Sequence, residues 1–327
     1  MMPPSPSTGP APEPDSPVRA ALVIAVLTYK RPEDLALALP RLLEQARTAP
    51  VPARVMVVDN DPDGGARQVV QAAAGAHPGQ GPLYVHEPRP GIAAARNRAL
   101  QEASGADLLV FIDDDEVPSE EWVLRLVELH KESGAEAVVG PVLSEYSVRP
   151  SAWITAGDFF TRRRLPTGTR LLVAATNNLL LDLHRIRALG LSFDERFGLS
   201  GGSDTLFSRQ LVQAGGTMLW CDEAVVVDRV PASRLTRQWV LRRAFRSGNC
   251  HSRVSLATTP TRAGRLVARL GLLGPGGLRF AGGAARALAG TLTRSRAHQA
   301  KGLRTAARGA GMLTGAFGYV YSEYKRS

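Results

Sequence analysis

Two cysteines, Cys221 and Cys250, are all that 327 residues contain. They are too few for a disulfide framework or a cysteine-rich zinc site, and they fit a reducing compartment. No apolar run approaches the roughly 18–20 residues that span a bilayer, and the first residues lack the charged-then-apolar order of a signal peptide. These absences lead to the expectation of a cytoplasmic protein. What is present is ordinary for a globular chain: 44% hydrophobic and 21% charged residues exclude global disorder. The length suffices for one large or two ordinary domains with a substantial core.

Acid is what the C-terminal stretch lacks. Residues 233–327 hold 18 Lys and Arg against a single acid, Glu323, a net charge of +17. Residues 1–232 hold 22 basic and 29 acidic side chains, a net charge of −7. The overall +10 therefore averages an acidic body and a basic tail. Such a tail points to a polyanion: a membrane surface, nucleic acid or a phosphorylated substrate.

Residues 1–17 carry seven prolines among Ser, Thr and acids without apolar periodicity, which predicts a disordered leader. Order is expected from Ala21-Leu22-Val23-Ile24-Ala25-Val26-Leu27, which reads as a strand buried on both faces. Pro32 then opens a helical pattern with Leu35, Leu39, Leu42 and Leu43 on one side. The alternation continues with strands over 54–59, 83–86, 107–112 and 137–142, and helices over 66–74, 92–104 and 120–133. It predicts an α/β fold, a mostly parallel sheet flanked by helices, with ligands at the carboxyl ends of the strands. After Pro150 the pattern loosens into short strands over 171–174, 179–182, 218–221 and 224–227, with a Gly-rich turn at 198–202 and a helix over 204–214. From Arg234 onward the chain reads as helical, with Gly274-Pro275-Gly276-Gly277 as a break. No internal repeat is evident.

The strongest chemical signal is Phe111-Ile112-Asp113-Asp114-Asp115-Glu116 at the end of an apolar strand. Four successive acids repel one another unless a cation or an array of donors compensates. Oxygen-rich sites of this kind suit Mg²⁺ or Mn²⁺, which commonly bridge to substrate phosphates. The plainer alternative is a solvated acidic turn capping the next helix, but its place at a strand's carboxyl end favours a site. Val57-Val58-Asp59-Asn60-Asp61 ends a second strand in the same way, with an Asx-turn as the alternative reading of Asp59.

With Val26-Leu27-Thr28-Tyr29-Lys30-Arg31-Pro32, Val57-Val58-Asp59-Asn60, Gly91-Ile92-Ala93-Ala94-Ala95-Arg96-Asn97, the Asp113–Asp115 run and Gly201-Gly202-Ser203-Asp204-Thr205 in this order, residues 20–255 resemble family 2 glycosyltransferases. The segments 87–97 and 111–118 are most similar to the bacterial exopolysaccharide branch of that family, which includes a succinoglycan glucosyltransferase. The resemblance implies the GT-A fold, a Rossmann-like nucleotide-binding half plus an acceptor half, in which a DxD motif holds a divalent cation on a sugar nucleotide. Together with the composition of the two ends, it gives a leader over 1–17, a catalytic domain over 18–255 and a basic helical extension over 256–327. It also implies an inverting transfer of a hexose such as glucose, from a UDP-sugar to a hydroxyl of a polyprenyl-diphosphate-linked glycan.

By the same resemblance Asp115 is the best metal ligand, while Asp113 and Asp114 divide metal and ribose contacts between them. Asp59 matches the position that hydrogen-bonds the base, with Thr28 beside it. The attacking hydroxyl must lose a proton, so a carboxylate has to face the anomeric carbon; Asp204, after the flexible glycines, is the candidate, with a helix-cap role as the alternative. The family usually has Glu-Asp where this chain has Ser203-Asp204. Arg242, Arg243 and Arg246 cluster on a predicted helix and suit a diphosphate, or else form a solvated basic face. Arg96 and Asn97 are donor-site candidates, Asn97 equally a buried hydrogen-bonding residue. Where relatives carry a metal-ligating His after the last strand, this chain has Val227-Asp228-Arg229, and no His is assigned.

In the tail, Leu266, Val267, Leu270, Leu272 and Leu273 alternate with Arg265 and Arg269, and Leu278, Phe280, Leu288 and Leu292 with Arg279 and Arg286. Two readings follow: a helix in the interface of an anionic membrane, or a helical cap whose apolar side packs on the catalytic domain. The first fits a peripheral protein at the inner face of the cell membrane. A nucleotidyltransferase would more typically show a Gly-rich loop after the first strand, and Thr28-Tyr29-Lys30-Arg31-Pro32 has no glycine. Nucleic acid is not expected as a partner, because no RNP-type, zinc or helix-turn-helix motif accompanies the charge.

Overall fold

A computed structural model describes residues 21–322; the Pro-rich leader lies outside the described residues. The chain runs β1 (Leu22–Thr28), α1 (Pro32–Thr48), β2 (Ala53–Asp59), α2 (Arg67–Ala76), β3 (Leu83–His86), α3 (Ile92–Glu102), β4 (Leu108–Asp113), β5 (Glu116–Pro118), α4 (Trp122–Ser133), β6 (Ala137–Val139), β7 (Val142–Tyr146) and α5 (Ala152–Gly157). It continues with β8 (Asn178–Asp182), α6 (Leu183–Ala188), α7 (Ser203–Gln213), β9 (Met218–Trp220), β10 (Val226–Val230), α8 (Arg237–Ala257), α9 (Arg262–Leu292) and α10 (Arg296–Ala316).

Seven strands form one sheet in the order β3-β2-β1-β4-β8-β6-β9. All neighbours are parallel except β8, which runs antiparallel to both β4 and β6. The all-apolar β1 explains why the sheet is covered twice. Its Leu22, Ile24 and Val26 enter a core with Leu35, Leu39 and Leu42 of α1 and Trp122 and Leu126 of α4. Its Val23, Ala25 and Leu27 enter a second core with Ala95 and Ala99 of α3 and Phe207 and Leu211 of α7. The parallel strands β1, β2 and β4 all end at one edge, which puts Thr28, Asp59 and Asp113 there. A smaller sheet, β5-β10-β7, stands beside the acidic cluster.

Three expectations from the sequence are corrected. The strand expected over 137–142 is two strands in two sheets. Gly140 packs where a Cβ would collide with the Ala224 carbonyl and the Asn178 amide, and Pro141 has no N–H for a ladder. Residues 171–174 form no strand; only Arg170 bridges Leu219, and Leu172 is exposed. Finally, Gly274-Pro275-Gly276-Gly277 does not break the helix. α9 runs through it, with Pro275 on the exposed side and Gly276 buried under Leu313 and Met312.

The last three helices form a layer with α10 in the middle. Gly302 and Gly309 of α10 bring its backbone against that of α9 at Ala287 and Phe280, and Gly311 and Gly315 bring it against α8 at Phe245 and Asn249. Ser252 Oγ donates to the Met312 carbonyl at 2.8 Å, and Asn249 Nδ2 donates to the Tyr319 carbonyl at 2.9 Å. Ala300 of α10 joins Trp153, Ile154, Val230, Leu235 and Val240 in one apolar cluster. Among the described residues no helix is long and apolar enough to cross a membrane.

Candidate active site

Thr28 ends β1, and its hydroxyl donates to Asp114 Oδ2 at 2.8 Å. Lys30 then takes a left-handed φ of 53°, and the turn delivers Arg31 to the acids. Arg31 Nη1 lies 3.1 Å from Asp114 Oδ1 and 3.0 Å from Asp115 Oδ2. Asp114 is thus buried and braced between the first loop and the acidic turn. Asp115 Oδ2 accepts a second guanidinium, Arg234 Nη2 at 2.8 Å, which follows β10. Asp228 of β10 pairs in turn with Arg162 at 2.8 Å and with Arg234 at 3.5 Å.

Asp113 differs from its neighbours. Its backbone N–H donates to Glu116 Oε2 at 3.1 Å. Among the described residues its own carboxylate neither accepts a hydrogen bond nor pairs with a cation. Burial, and then the charge of Asp115, push it up to about 6. Burial pushes Asp114 up to about 7 despite Arg31. Burial and then Asp113 raise Glu116, and burial raises Asp228. Such a group of carboxylates attracts a cation. Among the described residues no three His, Cys, Asp or Glu side chains form a ready-made metal cage. A hard cation that takes one or two carboxylates and completes its shell from substrate phosphates needs no such cage, and the unpartnered Asp113 carboxylate beside Asp115 fits that donor set.

Across from β4, Arg96 of α3 reaches Ser203 Oγ at 2.9 Å, packs over the Phe193 ring, and lowers the proton affinity of Asp113 by its charge. Ser203, the residue standing where the resemblance implies an acid, is therefore the partner of Arg96. Asp204 follows in the first turn of α7, after Gly201 and Gly202 at φ 78° and 98°. Among the described residues its Oδ1 accepts only from Thr205, from N–H at 2.6 Å and Oγ1 at 3.3 Å. The glycine turn is tied to α3: Gly91, at φ 115°, leaves room for Gly198, whose carbonyl accepts from Ile92 N–H at 3.3 Å.

α8 closes the ring. Arg243 acts by its charge on both Asp228 and Cys250, and Arg246 acts on Cys250 together with Asp204. Arg246 also lies beside Gly201. Arg242 is exposed and makes no hydrogen bond or ion pair among the described residues. Charge interactions thus link Arg96 with Asp113, Arg243 with Asp228, and Arg246 and Asp204 with Cys250.

Other expected residues are spent on structure. Asp59 is fully buried: Oδ1 accepts from Asp61 N–H at 3.0 Å, which is the Asx-turn, while Oδ2 accepts from Ala66 N–H at 2.9 Å and Tyr84 OH at 3.0 Å. Asn97 exchanges two hydrogen bonds with the backbone of Phe193, at 2.9 and 2.8 Å. Arg31, Arg162 and Arg234 are not singled out by the sequence. The only local signal is the run that places Arg31 directly after the strand.

Known proteins resemble this chain in sequence and in fold. Residues 23–183 match the model of Glycosyl transferase family 2. The chain is 38% identical over 235 residues, 71% of this chain and 74% of the relative, to the succinoglycan biosynthesis protein ExoM of Rhizobium meliloti. It is 25% identical over 171 residues, 52% of this chain and 55% of the relative, to the glycosyltransferase AglE of Haloferax volcanii. Among solved structures it resembles the mannosyltransferase PcManGT of Pyrobaculum calidifontis, in complex with GDP-Man and Mn²⁺. There the TM-score is 0.61 at 19% identity, over 92% of this chain and 88% of that one, a likeness of fold. The α/β architecture of the GT-A glycosyltransferases, the acid-ended β4 and these relatives lead to one conclusion: the chain belongs to glycosyl transferase family 2 and is a glycosyltransferase.

Proposed function

We propose that the enzyme transfers a hexose from a UDP-sugar, with inversion, to a hydroxyl of a lipid-linked exopolysaccharide precursor at the inner membrane surface. The observation that carries this reading is a pair of unlike carboxylates, one at the end of β4 and one after the Gly-rich turn. Among the described residues Asp113 makes no ion pair, and the Asp204 side chain accepts hydrogen bonds only from Thr205. Asp113 and Asp115 would hold Mg²⁺ or Mn²⁺, which when bound supplies positive charge to the departing diphosphate. Arg243 and Arg246, fixed on α8, add guanidinium charge where the nucleoside diphosphate gathers negative charge. Arg96, held by Ser203 and Phe193, sets the field at Asp113. Asp204 accepts the proton of the acceptor hydroxyl as its oxygen bonds to the anomeric carbon, and the bond to the diphosphate breaks with its electron pair on the leaving group. Thr28 and Asp114 keep the first loop shut against the acidic turn, and Asp59 shapes the exit of β2 on which the base rests. The ExoM relative, named for succinoglycan biosynthesis, supports an exopolysaccharide product.

The purified full chain is expected to hydrolyse one nucleotide sugar slowly with Mn²⁺ and not with chelator. Asp204→Asn should lower turnover by about 10²–10⁴-fold while donor still raises the melting temperature. Undiminished turnover in Asp204→Asn would remove it as the base.

A further inference from the structure

The longest helix turns most of its leucines away from the protein. The buried positions of α9 are Leu272, Gly276, Gly283, Ala287 and Gly290, whereas Leu266, Leu270, Leu288 and Leu292 are 59–76% exposed. At roughly 100° per residue those four leucines fall within about 80° of one another, about a third of a turn from the glycine face. A helix that caps a domain buries its leucines and exposes its small or polar side. Here the glycines take the packing face, and a long apolar stripe is left outside. Arg262 and Arg269, both exposed, stand about 40–60° from the edge of the stripe, whereas the exposed Arg265, Arg279 and Arg286 fall on the glycine side. From residue 229 to residue 322 there is no Asp or Glu at all.

That charge decides what covers the stripe. A second copy laid against it would bring its own Arg262 and Arg269, with no acid between residues 229 and 322 of either copy to pair with them. An anionic lipid surface provides both acyl chains for the leucines and phosphates for the arginines. We propose that α9 is an in-plane membrane helix, with Leu266, Leu270, Leu288 and Leu292 at the acyl boundary and Arg262 and Arg269 at anionic headgroups. The inference rests on the peripheral reading above and assigns it to one face of one helix. α10 lies between α9 and α8, so Arg243 and Arg246 stand one helix away from the seated surface.

The test is co-sedimentation of the full chain with phosphatidylcholine vesicles, with and without phosphatidylglycerol. The chain should bind only the mixed vesicles, and less at high salt. Leu266→Gln, Leu270→Gln, Leu288→Gln and Leu292→Gln combined should weaken binding by about tenfold or more. Because these side chains are exposed, melting temperature and donor hydrolysis in solution should not change. Arg262→Gln and Arg269→Gln combined should weaken the preference for phosphatidylglycerol. Equal binding by the leucine variant overturns the proposal. So does a lipid-free dimer of the native chain that the same substitutions dissociate. Donor hydrolysis without vesicle binding overturns it as well, yet leaves the sugar-transfer reading standing. Vesicle binding without hydrolysis does the reverse.

Discussion

A half-buried carboxylate beside other carboxylates holds its proton to a higher pH than a free one, and this makes Asp113 a reporter of its own site. Its ordinary value of 3.8 is pushed up to about 6, and that of Asp114 to about 7. Between about pH 4 and 7 the native metal-free protein therefore binds more protons than the unfolded chain. Unfolding then releases protons, and stability falls as pH rises through that window. A divalent ion competes for the same carboxylates, so the Mn²⁺-induced rise in melting temperature should grow from about pH 5 to 8. Asp113→Asn should flatten the metal-free pH dependence and remove most of the Mn²⁺ effect. A Mn²⁺ shift that ignores pH would exclude Asp113 as a ligand. The acidic run is visible in the sequence because four acids at a strand end have no local explanation. Arg31, Arg162 and Arg234, which neutralise Asp114, Asp115 and Asp228, are not visible, because each arrives from a distant segment by folding. Asp59 shows the opposite limit. Its motif position is legible, but not that Ala66 and Tyr84 would fill its second oxygen.

The elements divide in the same way. β1 and most of β4 are continuous apolar runs, so burial on both faces follows from the sequence alone. The reversal of β8 within the sheet depends on its neighbours β4 and β6 and has no local signature. In the C-terminal helices glycine carries two meanings that sequence alone does not separate. Gly274 and Gly271 have nothing within 4 Å of an added Cβ, whereas at Gly309 an added Cβ would strike the backbone of Phe280 and Gly276. The first kind weakens a helix; the second lets two helices touch. Gly271→Ala should accordingly stabilise the protein by about 0.5–1 kcal/mol through helix propensity. Gly309→Ala should destabilise it by about 1–3 kcal/mol or more, because two backbones must part. Denaturant unfolding of both variants checks the sign. A stabilising Gly309→Ala would mean that α9 and α10 do not touch there.

For the molecule as a whole, the basic helices are stitched into the body rather than hung from it. The boundary expected near residue 255 falls in the last turn of α8, and the contacts that cross it are buried ones. Asn249 and Ser252 bond to Tyr319 and Met312, Gly248 and Gly311 bring α8 and α10 into contact, and Ala300 completes the cluster around Trp153 and Val240. A chain ending at residue 258 would expose that cluster and leave the Asn249 amide and Ser252 hydroxyl without their partners. Each such loss costs about 1–3 kcal/mol, and the uncovered apolar surface adds to it at about 25 cal/mol per Å². Against the 5–15 kcal/mol that holds a typical domain, the sum is large. We therefore expect this truncation to lower the melting temperature steeply or abolish a cooperative transition, while the full chain unfolds in one. The loss should reach the chemistry, since α8 carries Arg243 and Arg246 on the side that meets Asp228 and Asp204. Calorimetry of the two chains decides it: an unchanged transition in the shortened chain would make α9 and α10 a separable appendage. If the transition collapses, removal of the tail cannot test membrane binding, and the exposed leucines of α9 become the substitutions that can.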